Sequence, residues 1–229
     1  MKMKNLLAAT ALLPLFFSCK KEAATEKSST ALSYRLSASN PSSPLGRLAT
    51  LERTDGSSVQ WTSGTASANQ IKFEAKNNSG EVEFKQNVQQ QVDLFSAASV
   101  LGSLSILPGT YSEVEFKAFL APSGNAHALT LNGSFTANGV TTPVSFQVAT
   151  NVELKAEKSN VTVAAGSNYS VLNSLDLSQL TTGIGQADLM NATRTNGTIV
   201  ISATSNPNIF KTMLANLGSH HGEAEVEHH

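Results

Sequence analysis

Four of the chain's five histidines fall in its last ten residues, as His220, His221, His228 and His229, with Glu223, Glu225 and Glu227 between them. Imidazole and carboxylate together suit zinc, nickel or copper(II). Adjacent histidines on a flexible chain can wrap an ion, so His220, His221, Glu223, Glu225, His228 and His229 form the candidate metal-ligand set. The segment has no fixed ligand spacing, and a disordered chain must lose entropy to bind. Weak zinc, copper or nickel binding by a solvated tail is the expectation, and no resident cofactor is implied. The fifth histidine, His127, stands by itself beside Gly124 and Asn125 in a loop-like stretch. Without a second histidine in the body there is no triad, and no serine sits in a Gly-x-Ser-x-Gly elbow. No glycine-rich loop runs into Lys-Ser or Lys-Thr, so nucleotide binding has no support. Trp61 and Tyr34 are the candidate sugar platform. A single tryptophan inside Val59-Gln60-Trp61-Thr62 reads more simply as strand packing.

The sole cysteine, Cys19, carries the sharpest signal. Lys2 and Lys4 precede an almost wholly apolar run over residues 6–17. A bilayer-spanning helix needs roughly 20 residues, so this run is too short to cross and has the length of a signal-peptide h-region. It closes on Phe17-Ser18-Cys19, which resembles the lipobox of bacterial lipoproteins, with Phe16 where that pattern usually has Leu. The resemblance implies that residues 1–18 are a signal peptide, that Cys19 is lipidated, and that the protein is anchored by lipid in a Gram-negative cell envelope. The outer membrane is the expected location, on its periplasmic or its surface face. Residues 19–30 read as a tether. Their charged start resembles the surface-export signals of Bacteroidota lipoproteins, although Lys20 and Lys21 come first where those signals are mostly acidic.

The body must position whatever the chain binds. It is 40% hydrophobic and only 14% charged, and Ser (29), Thr (21) and Asn (18) make up 30% of its 229 residues. A net charge of −1 excludes a nucleic-acid binder held by a basic face. The apolar share is enough for a core, and one cysteine excludes an internal disulfide framework or a cysteine zinc site. From residue 31 to about 163 the dominant pattern is alternation, the strand signal. Leu32, Tyr34 and Leu36 share a face, as do Ile71, Phe73 and Ala75, and Val144, Phe146 and Val148. Turn residues punctuate the runs at Asp55-Gly56, Asn78-Ser79-Gly80, Pro108-Gly109, Pro122-Ser123-Gly124, Asn138-Gly139 and Ala165-Gly166. Asn138-Gly139 is the strongest hairpin signal. The pentapeptide Glu-Val-Glu-Phe-Lys occurs at 81–85 and again at 113–117. It reads as a wet strand face with Glu–Lys pairs across the sheet. Catalytic carboxylates would need a cleft in which to converge.

These patterns predict an all-β, antiparallel β-sandwich over residues 31–205, with a closed barrel as the second choice. Short helices are expected at 94–101 behind Asp93, at 175–180 and at 188–193, and a buried strand at 198–203. Asn206 and Pro207 open the clearest helix, 206–218, with Gly218 as its stop. Ile209, Phe210, Met213, Leu214 and Leu217 fall on one face of it, which must pack on the sandwich. Residues 219–229 are the flexible His/Glu-rich tail.

The stretch Val92-Asp93-Leu94-Phe95, through Leu104-Ser105-Ile106-Leu107-Pro108-Gly109-Thr110-Tyr111, to Val114-Glu115-Phe116 resembles uncharacterised Bacteroidota-type β-sandwich lipoproteins of domain-of-unknown-function families, among them prealbumin-like and carboxypeptidase-regulatory-like domains. The resemblance implies an immunoglobulin-like or prealbumin-like sandwich and brings no catalytic residue with it. The expected function is a non-catalytic binding or accessory module on the envelope, with a glycan or protein partner and no nucleic acid. Metal handling through the tail is the alternative, and an enzyme is the third choice.

Overall fold

Alternating hydrophobicity becomes strands over most of the chain. The computed structural model describes residues 29–46, 57–96, 99–219 and 221–228, the last stretch in backbone. The signal peptide, Cys19, nearly all of the tether, Asp55-Gly56, His220 and His229 lie outside the described residues. In chain order the elements are β1 (Thr30–Ser39), β2 (Ser42–Pro44), β3 (Ser58–Asn77), β4 (Gly80–Asp93), β5 (Ser99–Ile106), β6 (Gly109–Leu120), β7 (Leu129–Ala137), β8 (Val140–Val148), β9 (Val152–Val163) and β10 (Asn168–Asp176). Then follow α1 (Gln186–Met190), β11 (Arg194–Thr195), β12 (Thr198–Ile201), α2 (Pro207–Ser219) and β13 (His221–His228).

The fold is an all-β sandwich with few helices. One sheet runs β5-β1-β10-β13 and the other β11-β12-β8-β7-β3-β6-β9, and β13 joins them by pairing with both β10 and β9. The long β3 organises the second sheet. Ala66 pairs with Val92 of β4 and Leu129 of β7, whereas Ala68 pairs with Gln90 of β4 and Leu120 of β6. A strand residue has one neighbour on each side, so β7 and β6 take successive halves of one edge of β3. β4 takes the other edge, beyond the short β2. The pairing is not purely antiparallel: β1–β10, β8–β12 and β9–β13 are parallel. The patterns at 59–62 and 71–75 prove to be the two ends of β3, joined by small residues that keep the strand unbroken.

The core has two centres. Under β3 and β6, Phe116 lies 4.7 Å from Phe73 and 5.5 Å from Tyr34, ring centre to ring centre. Toward the other end, Trp61 is buried and its Nε1 donates to Ser43 Oγ at 2.8 Å. α2 closes that end with Phe210, Met213 and Leu217 buried and Ile209 and Leu214 partly so. Each fully buried side chain of this kind is worth about 1.5–3 kcal/mol, which accounts for the expected packing of the helix.

Several local expectations give way. Among the described residues of 94–101 there is no helix: Asp93 Oδ1 accepts the Phe95 N–H at 2.9 Å in a two-residue turn, and the chain is in the sheet from Ser99. An aspartate that closes such a turn has the same composition as a helix cap. The segment 175–180 is the end of β10 followed by one 3₁₀ turn over Leu177–Gln179, capped by Asp176. Asn206 holds the N-cap position of α2, its carbonyl accepting the Phe210 N–H at 3.0 Å, but its side chain does not cap the helix. Asn206 has φ +55°, and its amide instead clamps Thr193 and Val200. α2 runs through Gly218 to Ser219. The tail expected to be flexible is strand β13 over 221–228. The cause is an alternation of glutamates with Ala224 and Val226, which matches the strand pattern of the body.

Candidate functional site

The repeated pentapeptide lies on β4 and β6, the two strands that flank the second half of β3. Phe84 and Phe116 both pair with Phe73, Glu83 and Glu115 with Glu74, and Lys85 and Lys117 with Lys72. β9 extends the rows with Lys155 beside Lys117 and Glu157 beside Glu115. Two rungs of like charge therefore cross four strands, Lys85-Lys72-Lys117-Lys155 and Glu83-Glu74-Glu115-Glu157. Like charges directly opposite repel, and the side chains resolve this by pairing along each strand and diagonally between strands. Lys85 meets Glu83 at 2.6 Å, Glu83 meets Lys72 at 3.1 Å, Lys72 meets Glu74 at 2.6 Å, and Glu74 meets Lys117 at 3.2 Å. Glu115 then bridges Lys117 and Lys155, and Lys155 reaches Glu157. The result is one unbroken zipper of eight alternating charges.

The titration of these groups follows from that pairing. Burial alone would raise the Glu115 carboxyl, but Lys117 and Lys155 outweigh it and hold it below the ordinary range. Lys85 and Lys72 hold Glu83 low in the same way. The ammoniums of Lys72, Lys117 and Lys155 are raised, chiefly by their bonds to Glu74, Glu115 and Glu115 respectively. A general acid needs the opposite shift toward neutrality. The carboxylates of Glu113, Glu115 and Glu157 can approach within 4.8 Å of one another, a spacing a cation could use. Each of them already faces an ammonium, Glu113 that of Lys76 at 3.7 Å. Within the zipper each carboxylate is held by at least one lysine, and the pairing ties four strands together.

Past the zipper, β3 and β4 fall out of step. Ala68 pairs with Gln90 but Gln70 pairs with Asn87, so β4 holds one extra residue in a bulge. There Gln89 has φ +48°. Among the described residues the other non-glycine residues with positive φ are all asparagines, which tolerate that region. Beside the bulge lies a shallow cleft of about 380 Å³, lined by Ser67, Asn69, Gln89, Gln90, Gln91 and Ser123 among others, and by no charged residue. A second depression of about 370 Å³ adjoins it through Asn69 and Ala121, with Gln70, Asn151 and Glu153 on its wall. Bulges commonly re-aim side chains beside functional sites, and here the bulge sets a row of amides at the rim of a concavity. In the sequence this region was visible only as the run Gln86-Asn87-Val88-Gln89-Gln90-Gln91, where charge alternation stops.

The residues singled out by type come out as follows. Trp61 and Tyr34 are buried in the two core centres and form no platform. The Tyr34 hydroxyl accepts from Asn173 Nδ2 at 3.0 Å, and burial raises its pKa. His127 lies just ahead of β7, and its carbonyl accepts the Ser67 hydroxyl at 2.9 Å. His221 and His228 occupy the two ends of β13. Seven residues of strand separate their backbones by roughly 23 Å. No protein-family model, curated protein or solved structure matches the chain.

Proposed function

We propose that the chain is a lipid-anchored envelope module, non-catalytic, built on an immunoglobulin-like or prealbumin-like sandwich, that binds a neutral polyhydroxylated ligand of the glycan class in the cleft around Asn69 and Gln90. One observation carries the reading: on the β3–β4 hairpin Lys72, Glu74, Glu83 and Lys85 are engaged in ion pairs, while the cleft beyond the bulge presents only amides, hydroxyls and small residues. A carboxamide both donates and accepts, as a sugar hydroxyl does, so neighbouring amides suit paired hydroxyls. An anionic ligand would find no cation in that lining. The lipid anchor at Cys19 supports the same setting, since it holds the domain where envelope glycans are concentrated.

A glycan array followed by calorimetry on the Cys19→Ala chain tests this. The expected result is saturable binding that the paired change Asn69→Ala with Gln90→Ala abolishes and that Lys85→Gln leaves intact. Absence of any saturable glycan, or binding indifferent to the amide pair, would overturn it. The anchor has its own test: Cys19→Ala should release the protein from membranes and end acyl labelling.

A further inference from the structure

The charge zipper stops at an open edge. β4 pairs with β3 on one side, and among the described residues no strand pairs with its other side. At fourteen residues it is long for an exposed edge. Up to the bulge at Gln89 this edge is regular: residues 80–93 contain no proline, and the charges of Glu81, Glu83 and Lys85 lie on the outer face. The inner face carries Val82, 42% exposed, then Phe84, Gln86 and Val88, each half-buried. β5 does not cover this edge. A Cβ on its Gly102 would lie 2.7 Å from Ile71 Cδ1 and 2.8 Å from Gln86 Oε1, so β5 stacks across the inner face of the Ile71–Gln86 pair.

We infer that β4 is a dimerisation strand that pairs antiparallel with β4 of a second copy of this chain about a two-fold axis through Phe84. Directly opposed residues of two antiparallel strands share a face, so only registers that keep face to face are allowed. An axis through Glu83 sets Glu83 against itself, and an axis through Lys85 sets Lys85 against itself. An axis through Val82 sets Glu83 against the partner's Glu81. The axis through Phe84 alone sets Glu83 opposite the partner's Lys85 and Lys85 opposite the partner's Glu83, with no like-charged pair. It also extends the aromatic row Phe116-Phe73-Phe84 to the partner's Phe84 and carries the eight-charge zipper into a second molecule. Two copies of the cleft at Gln90 then lie about 40 Å apart along one continuous sheet.

The test uses charge reversal on the full chain carrying Cys19→Ala. By sedimentation, the parent chain should dimerise, while Glu83→Lys and Lys85→Glu should each self-associate at least about tenfold more weakly, because each opposes like charges across the axis. Mixing these two variants should restore a dimer, since every opposed pair is then Lys against Glu. That arm also shows that both variants are folded. A monomeric parent chain, single variants that dimerise like the parent, or a mixture of folded variants that stays monomeric would each overturn the assignment. An independent readout is oxidation of Phe84→Cys in the same background, which should yield a disulfide-linked dimer where Asn87→Cys does not. Failure of the folded Phe84→Cys chain to cross-link refutes the register.

Discussion

The two ends of the β3–β4 hairpin are built from the same pair of strands and behave oppositely. On the turn side of the bulge at Gln89 Lys and Glu alternate with apolar residues over 72–76 and 81–85, and Lys72, Glu74, Lys76, Glu83 and Lys85 find partners along and across the sheet. On the other side the residues are Ser, Asn and Gln around a concavity. A closed circuit of charges holds strands together and leaves little for a ligand. Neutral donors and acceptors at a concave rim cost the fold little and stay available. In the proposed reading the ligand is met by the neutral groups at the concave rim rather than by the most strongly charged part of the sheet.

The largest test of that contrast goes beneath the charged face. Phe116→Ala removes the ring that links Phe73 and Tyr34, and should cost about 3–5 kcal/mol in denaturant unfolding. A loss as small as that of a surface substitution would mean that the zipper, not the aromatic row, holds β6. Next comes Glu115→Gln. Glu115 is 8% exposed and serves two lysines, so the change should cost about 1–3 kcal/mol, short of a fully buried pair because the lysine ends reach water. Glycan binding should be unchanged. The paired change Asn69→Ala with Gln90→Ala should do the reverse, abolishing binding at a cost within about 0.5 kcal/mol.

Acid should act on one end of the hairpin and spare the other. Glu83 and Glu115 have folded pKa values below the ordinary 4.5. Their contribution to stability is thus present above that value and fades as pH falls through the lower folded values. The raised lysines Lys72, Lys117 and Lys155 act at the opposite extreme. Their contribution is present below the ordinary 10.5 and is lost as pH rises through their higher folded values. Unfolding midpoints should therefore form a plateau between these limits, and Glu115→Gln should flatten the acid limb. The smallest effect is at the bulge itself. Gln89→Asn places a residue that tolerates positive φ and should stabilise the chain by about 0.5 kcal/mol. A destabilisation would show that the Gln89 side chain holds the bulge by contact.

Much of this was legible because it is local. Leu32, Tyr34 and Leu36, or Ile71, Phe73 and Ala75, declare a strand by alternation alone, and Asn138-Gly139 forms its hairpin turn with φ of 51° and 74°. The stripe from Ile209 to Leu217 announced that α2 must be covered. β10 was missed because its interior holds the buried polar residues Ser170 and Asn173, which break the apolar period. The cleft was missed because it requires Ser67, Gln90 and Ser123 to meet across three separate parts of the chain.

The sequence by itself determined which faces are dry, which residues turn the chain, and that glutamate and lysine would line a wet sheet. Those properties follow from period-two geometry and backbone preference, which act over a few residues. Tertiary structure decided that the two Glu-Val-Glu-Phe-Lys copies flank one strand and merge into a single zipper. It also decided that 221–228 joins the two sheets as β13, and that a bulge opens a neutral cleft at the zipper's end. Strand neighbours are chosen by contacts across the whole chain, and a period of two reads the same whichever strand lies beside it.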